Sequence, residues 1–181
     1  MSIRKLNLRS PLIIASGPGG FGEYLKIEGI EWNKLGAYTL KTVTYKPKEG
    51  NKPPRMYAKG GYLINRIGLE NPGVHSFIKS LESGEYDELF DKVPVILSLG
   101  GDFFEEYLSI TKIIKPYTSK FIAVEYNFSC PNVKRGGLSI MSDIGEWKNL
   151  LKEIRTEVPD VFLIAKLGIE GGFVEENAAI V

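Results

Sequence analysis

The sequence predicts an α/β fold built on a parallel sheet. Five short runs rich in apolar and β-branched residues recur along the chain, each bounded by turn formers. Helical patterns separate the later runs. Two of the runs, PVILSL (Pro94 to Leu99) and VFLIAKL (Val161 to Leu167), are continuous enough to be buried on both faces, as the strands of a helix-covered parallel sheet are.

The expected strands, in order, are Leu12 to Ala15, Ala37 to Thr44, Pro94 to Leu99, Phe121 to Asn127 and Val161 to Leu167. A helix is expected over Phe103 to Lys115, where Phe104, Tyr107, Leu108, Thr111 and Ile114 share one face and Asp102 with Glu105 resembles a capping box. A second is expected over Asp143 to Val158, with a stripe of Ile144, Trp147, Leu150, Leu151 and Ile154, Ser142 as cap and Pro159 beyond the end. Between strands two and three, Tyr45 to Gly73 is rich in proline and glycine and carries no helical stripe, so it reads as a long functional loop. The last residues, Gly172 to Val181, open a helical pattern without a C-cap, and the chain is expected to be cut there. A complete (βα)8 barrel takes about 250 residues. Five strands in 181 residues would be the first five of such a barrel, and an open doubly wound sheet is the competing architecture.

Composition narrows the function. With 43% hydrophobic and 25% charged residues the chain has material for one core, and residues 1–181 are expected to form a single domain, incomplete at its C-terminus. The formal net charge of +1 offers no footprint for a nucleic acid. No run reaches the ~18 apolar residues of a spanning helix, and Leu12 to Ala15 is too short for a signal-peptide core; a cytoplasmic protein is expected. One cysteine, Cys130, excludes an internal disulfide, and one histidine, His75, argues against a zinc site.

Chemistry is suggested by polar residues inside apolar strands: Lys41 in YTLKTVT, Glu125 and Asn127 in IAVEYNFSCPN, and Lys166 in LIAKLG. An unpaired charge buried in a sheet costs several kcal/mol, so these residues must be paired or line a site. Period-2 alternation puts Glu125 and Asn127 on one face, near the C-terminal strand ends where barrels carry their active sites. For either lysine alone the bland alternative is a side chain that snorkels or pairs only to fill space. It weakens for Lys41, Lys166, Asn127 and Cys130 together. Gly17 to Gly22 matches G-x-G-x-x-G. The ribose-binding acid that a dinucleotide site wants near the end of the second strand is replaced by Lys41, so the glycines read instead as a close backbone approach to a flat cofactor.

The blocks ASGPGGFGE (Ala15 to Glu23), LKTVTYKPKEGNKPPR (Leu40 to Arg55), NRIGLENPG (Asn65 to Gly73), EYNFSCPNVKRGG (Glu125 to Gly137) and IAKLG (Ile164 to Gly168) resemble, in order and spacing, the catalytic chain of dihydroorotate dehydrogenase. The resemblance implies a (βα)8 TIM barrel with about the first five strands present, and an FMN-dependent oxidation of dihydroorotate to orotate in pyrimidine biosynthesis. It implies Cys130 as the base that removes the C5 proton while the C6 hydride goes to FMN, as in the cysteine-based, class 1 members. Lys41 would touch flavin and substrate; Ala15, Ser16, Gly17, Thr42, Asn127 and Lys166 would contact the flavin. Asn65, Asn127 and Asn132 would hydrogen-bond orotate, and the backbone of Ile67, Gly68 and Leu69 would cradle its carboxylate. Outside the resemblance, Cys130 reads as an inert buried thiol, and Asn65 and Asn132 as turn formers.

Within the family, GGYLINRIGLENPGV is more similar to members that pair with an iron–sulfur and FAD subunit passing electrons to NAD (class 1B) than to the fumarate-reducing homodimers, and a homodimer of the barrel is expected. Because barrels commonly hold a cofactor phosphate after strands seven and eight, 181 residues alone are expected to bind FMN weakly or not at all, and not to turn over. Rival readings are a dihydropyrimidine dehydrogenase-type domain, a dihydrouridine synthase, which would want a basic surface, and a non-catalytic barrel fragment.

Overall fold

The computed structural model describes residues 6–129, 143–168 and 174–181. Its strands are β1 (Ile13–Ile14), β2 (Ala37–Thr39), β3 (Val43–Thr44), β4 (Met56–Lys59), β5 (Tyr62–Asn65), β6 (Val95–Gly100), β7 (Ala123–Asn127) and β8 (Leu163–Lys166). Its α-helices are α1 (Val74–Glu82), α2 (Asp87–Lys92), α3 (Phe104–Ile114), α4 (Ile144–Glu157) and α5 (Val174–Ala178). The main sheet runs β1-β2-β6-β7-β8 with every pairing parallel, and β3 also pairs with β6. β4 and β5 form a separate antiparallel hairpin.

The two sides of the sheet are different. The large apolar core joins Tyr38, Val95, Leu97, Val124 and Tyr126 to Val74, Phe77 and Leu81 of α1, Leu89 of α2, Tyr107, Ile110 and Ile114 of α3, and Trp147, Leu150 and Ile154 of α4. Among the described residues the apolar cluster on the other face is small, Ala37, Ile96 and Ala123 with Leu6, Leu8, Ile122, Phe162 and Ile164 against them, and it includes no helix residue. A doubly wound sheet wants helices on both faces. Helices on one face and a small apolar cluster on the other are what the wall of a (βα)8 barrel presents, outer ring and filled interior. The barrel expectation is therefore borne out over its first five strands.

Two expected elements need correction. The single strand Ala37 to Thr44 is broken into β2 and β3. Thr39 pairs with Ile96 and Val43 with Leu99, four steps on one strand against three on its neighbour, so one extra residue is inserted as a bulge. The Tyr45 to Gly73 connection is not structureless, since it contains the β4–β5 hairpin turning at Gly60-Gly61.

The caps also differ. Asp143, not Ser142, caps α4, accepting from the Gly145 and Glu146 N–H groups, and Ser142 lies outside the described residues. No side chain caps α3, where Asp102 N–H instead donates to Glu106 Oε2 at 2.7 Å and the Asp102 carboxylate pairs with Lys48. Of the α4 stripe, Trp147, Leu150 and Ile154 are buried, while Ile144 is exposed. The helix expected near the C-terminus is present as α5.

Candidate active site at the C-terminal strand ends

Along the inner face of the sheet the residue character changes from one end of the strands to the other. Ala37, Ile96 and Ala123 make an apolar floor towards the strand N-termini. One pleat further on β6 and β7, Ser98 and Glu125 stand side by side in register, and Asn127 pairs in register with Lys166 of β8. The alternation expected for Glu125 and Asn127 is thus present, and both are buried. The bulge before β3 resets the strand's phase, so that buried Thr42 joins this same polar layer although Leu40 belongs to the core behind the sheet.

These side chains form one connected network. Ser98 Oγ donates to Glu125 Oε1 at 2.7 Å, and Lys166 Nζ pairs with the same oxygen at 3.0 Å. Thr42 Oγ1 lies 3.0 Å from Ser98 Oγ, 3.1 Å from Ser16 Oγ and 3.0 Å from Asn127 Nδ2, which donates to it. Asn127 Oδ1 accepts from the Ser129 N–H at 3.1 Å and hydroxyl at 2.7 Å. Five strands or strand ends therefore contribute to one cluster. Its acidic member is compensated by Lys166, so no lone charge is buried.

Behind Asn127, Tyr107 Oη donates to its carbonyl at 2.9 Å. Phe128 packs against Tyr107 and edge-on to Trp147, with ring centroids 4.9 and 4.6 Å away. Tyr126, held by Thr111 at 2.8 Å, has its phenol pushed well above the ordinary tyrosine range by burial. The helix face thus locks the strand that presents Asn127.

The glycine run does not lead into a helix of dinucleotide type, being followed by the 3-10 turn Glu23–Lys26. Gly20 N–H bonds Gly17 O, and Lys41 N–H bonds Gly20 O at 2.8 Å, which fixes the glycine loop across the bulge. A side chain on Gly19 would overlap the Tyr38 ring, whose hydroxyl donates to Gly19 O. Ala15 and Gly17 are exposed and Ser16 and Lys41 half-buried at this rim.

The Asn65 to Leu69 segment is positioned separately. Asn65 ends β5 and is exposed, and no hydrogen bond among the described residues brings it to the cluster. Gly68 and Leu69 both take positive φ, 80° and 55°, uncommon for a leucine. None of the N–H groups of Ile67, Gly68 and Leu69 donates to another described backbone group. Asn71, which the sequence reading passed over, organises this turn. Its Oδ1 accepts from Thr44 N and Gly73 N, and its Nδ2 donates to Thr44 Oγ1 and Leu69 O, so all four valences are used. Lys48, bridged to Asn71 through the backbone and paired with Asp102 at 2.5 Å, ties the same connection to the end of β6. Cys130 and Asn132 lie outside the described residues. Ser98 is a further member that sequence reasoning missed, although a polar residue inside PVILSL carries the same signal that singled out Lys41.

No helix among the described residues is long and apolar enough to cross a membrane. The chain is 54% identical over 176 residues to the catalytic subunit of dihydroorotate dehydrogenase B (NAD(+)) of Thermotoga maritima, covering 97% of this chain and 62% of that one. It is 36% identical over 180 residues to the protein of the same description from Thermoanaerobacter pseudethanolicus, covering 92% of this chain and 57% of that one. This chain therefore spans about three fifths of the length of these relatives. Among solved structures, DHODH from Eimeria tenella in complex with ferulenol matches with a TM-score of 0.63 at 21% identity, over 82% of this chain and 41% of that one, a likeness of fold. The family description that matches, over residues 1–170, is dihydroorotate dehydrogenase, and the chain belongs to that family.

Proposed function

We propose that the protein oxidises dihydroorotate to orotate with FMN, and that residues 1–181 supply the substrate-facing wall of that site. The observation that carries the reading is the Ser16–Thr42–Ser98–Glu125–Lys166 network with Asn127, gathered at the C-terminal ends of adjacent parallel strands. Barrel enzymes place their chemistry at that end. The donor set fits a flavin. Hydroxyls and an amide suit the alternating N–H and C=O edge of an isoalloxazine, and the ammonium of Lys166 suits the negative charge that edge gains on reduction.

When bound, FMN would supply the acceptor for the C6 hydride. The chain's own residues do the rest. Ala15, Ser16 and Gly17 line the rim where a flat ring would rest, and Lys41 and Thr42 meet it from the bulged strand. Asn127, its amide orientation fixed by Thr42 and Ser129, presents donors to a pyrimidine substrate, with Asn65 and Asn132 as its partners. The N–H groups of Ile67, Gly68 and Leu69, which donate to no described backbone group, suit a carboxylate. Cys130, three residues beyond Asn127, takes the C5 proton. Likeness to catalytic subunits described as NAD(+)-linked supports a partner subunit that passes electrons onward, and a homodimer of the barrel is part of the same reading.

The test is anaerobic mixing of the complete natural protein, loaded with FMN, with dihydroorotate and separately with dihydrouracil. Bleaching of the flavin by dihydroorotate is expected; bleaching by dihydrouracil alone would overturn the assignment. Replacing Cys130 by alanine should slow flavin reduction by the ~100 to 10,000-fold of general-base catalysis, with orotate binding retained.

A further inference from the structure

The hydrogen-bond directions in the network can be settled by counting protons. Glu125 Oε1, facing a lysine ammonium at 3.0 Å, accepts. Ser98 must then spend its only proton on that oxygen, at 2.7 Å. Between Ser98 and Thr42, Thr42 is therefore the donor. Having spent its proton, Thr42 can only accept from Asn127 Nδ2 and from Ser16. Every hydroxyl points the same way, Ser16 to Thr42 to Ser98 to Glu125, and the carboxylate sets the direction of the chain.

We propose that Glu125 is a positioning residue with two outputs. It holds the Lys166 ammonium at the end of β8 and offsets its charge, and through Ser98 and Thr42 it fixes the orientation of the Ser16 hydroxyl and keeps Thr42 Oγ1 an acceptor for the Asn127 amide that Ser129 orients. The inference rests on the flavin site proposed above. Lys166 and Ser98 use the same carboxylate oxygen, so an amide oxygen in that place keeps both hydrogen bonds while the charge is lost and the second oxygen becomes an NH2 group. Glu125→Gln is thus a charge change that keeps both contacts. It leaves Lys166 uncompensated and should favour the reduced, anionic flavin over the oxidised one.

The readout is the ratio of dissociation constants for oxidised and reduced FMN, measured on the complete natural protein without turnover. Glu125→Gln should shift this ratio at least tenfold towards the reduced form, equivalent to about 30 mV for a two-electron couple. Lys166→Gln should shift it in the opposite direction, and the double variant should return towards the wild-type ratio. Ser98→Ala, which cuts the hydroxyl chain but keeps the ion pair, should weaken both forms alike and leave the ratio within threefold. An unchanged ratio in Glu125→Gln, or a double variant that keeps a single variant's shift, would overturn the proposal. Should Glu125→Gln fail to fold, the Lys166→Gln and double-variant pair decides by the same criterion. A wild-type protein that binds neither form of FMN would instead refute the flavin reading itself.

Discussion

Replacing Thr42 by valine removes one hydroxyl from the centre of the cluster and nothing from its volume. That hydroxyl serves Ser98, Ser16 and Asn127 at 3.0, 3.1 and 3.0 Å. Ser16 is half-buried and can turn to water. Ser98 and Asn127 are 0% and 7% exposed and cannot. Asn127 loses the acceptor for a buried N–H, and Ser98 loses the donor to its oxygen while still donating to Glu125. A buried donor left unsatisfied costs about 1–3 kcal/mol and an orphaned acceptor somewhat less, so the loss should total about 2–4 kcal/mol. With a urea dependence of about 2 kcal/mol per molar, the unfolding midpoint should fall by about 1–2 M. Thr42→Ser keeps the hydroxyl and gives up one methyl, about 1 kcal/mol, and should recover most of the difference. The assay is equilibrium urea unfolding of the complete natural protein and both variants, with the slope checked to be constant. A valine variant within about 0.5 kcal/mol of wild type, inside the range of a neutral substitution, would refute the reasoning, because Asn127 would then not depend on Thr42.

Three further outcomes follow from other parts of the molecule. Asn71→Ala leaves the Thr44 and Gly73 N–H groups without their acceptor and should cost about 2–4 kcal/mol; faster limited proteolysis between residues 45 and 73 reports the freed connection, and an unchanged cleavage rate would argue against it. Asp143→Ala removes the cap on the Gly145 and Glu146 N–H groups and should cost about 1 kcal/mol, read as a lower thermal midpoint that Asp143→Ser largely restores. Tyr38 is pushed up to about 12 by burial and then by Glu23, and Tyr126 is raised by burial too. Unfolded tyrosines ionise near ~10, so above that pH the unfolded chain loses protons that the folded one keeps. Stability conferred by these phenols is complete below pH 10 and declines as pH rises towards 12; denaturant midpoints that stay flat across that window, or phenolate absorbance that appears in full before unfolding, would contradict it.

Much of the fold was legible because strands buried on both sides tolerate few polar residues. Glu125, Asn127 and Lys166 stood out against apolar neighbours, and period-2 alternation gave the shared face of Glu125 and Asn127 correctly. The bulge was not legible. LKTVT carries neither glycine nor proline to mark it, and the extra residue is defined only by pairing with β6. The β4–β5 hairpin had a local signal, Gly60-Gly61 between two runs of strand formers, but its side chains are exposed on both strands, so no inward-facing pattern drew attention to it. Helix α1 shows Val74, Phe77 and Leu81 at helical spacing, a stripe of one residue per turn that is short enough to pass for loop. Ser98 was missed because a serine in a strand is ordinary. Its role comes from standing in register with Glu125, which is a property of the sheet and not of its own strand.

What the network leaves unspent describes its ligand. Among the described residues Asn127 has a second Nδ2 proton uncommitted, Lys166 has further ammonium protons, and Ser16 offers an oxygen that accepts nothing. Asn127 is buried and cannot turn to water, whereas the half-buried Ser16 and Lys166 offer an acceptor and donors beside it at the rim, so the three together suit a partner with two acceptors and a donor along one edge. A phosphodiester has no donor for Ser16, and an apolar ring answers none of the three. The edge of an oxidised pyrimidine or isoalloxazine, with N–H between two carbonyls, answers all of them. On the proposed function, the Lys166 ammonium would bias the site towards whichever redox state of that edge carries negative charge, and Glu125 would limit the size of the bias.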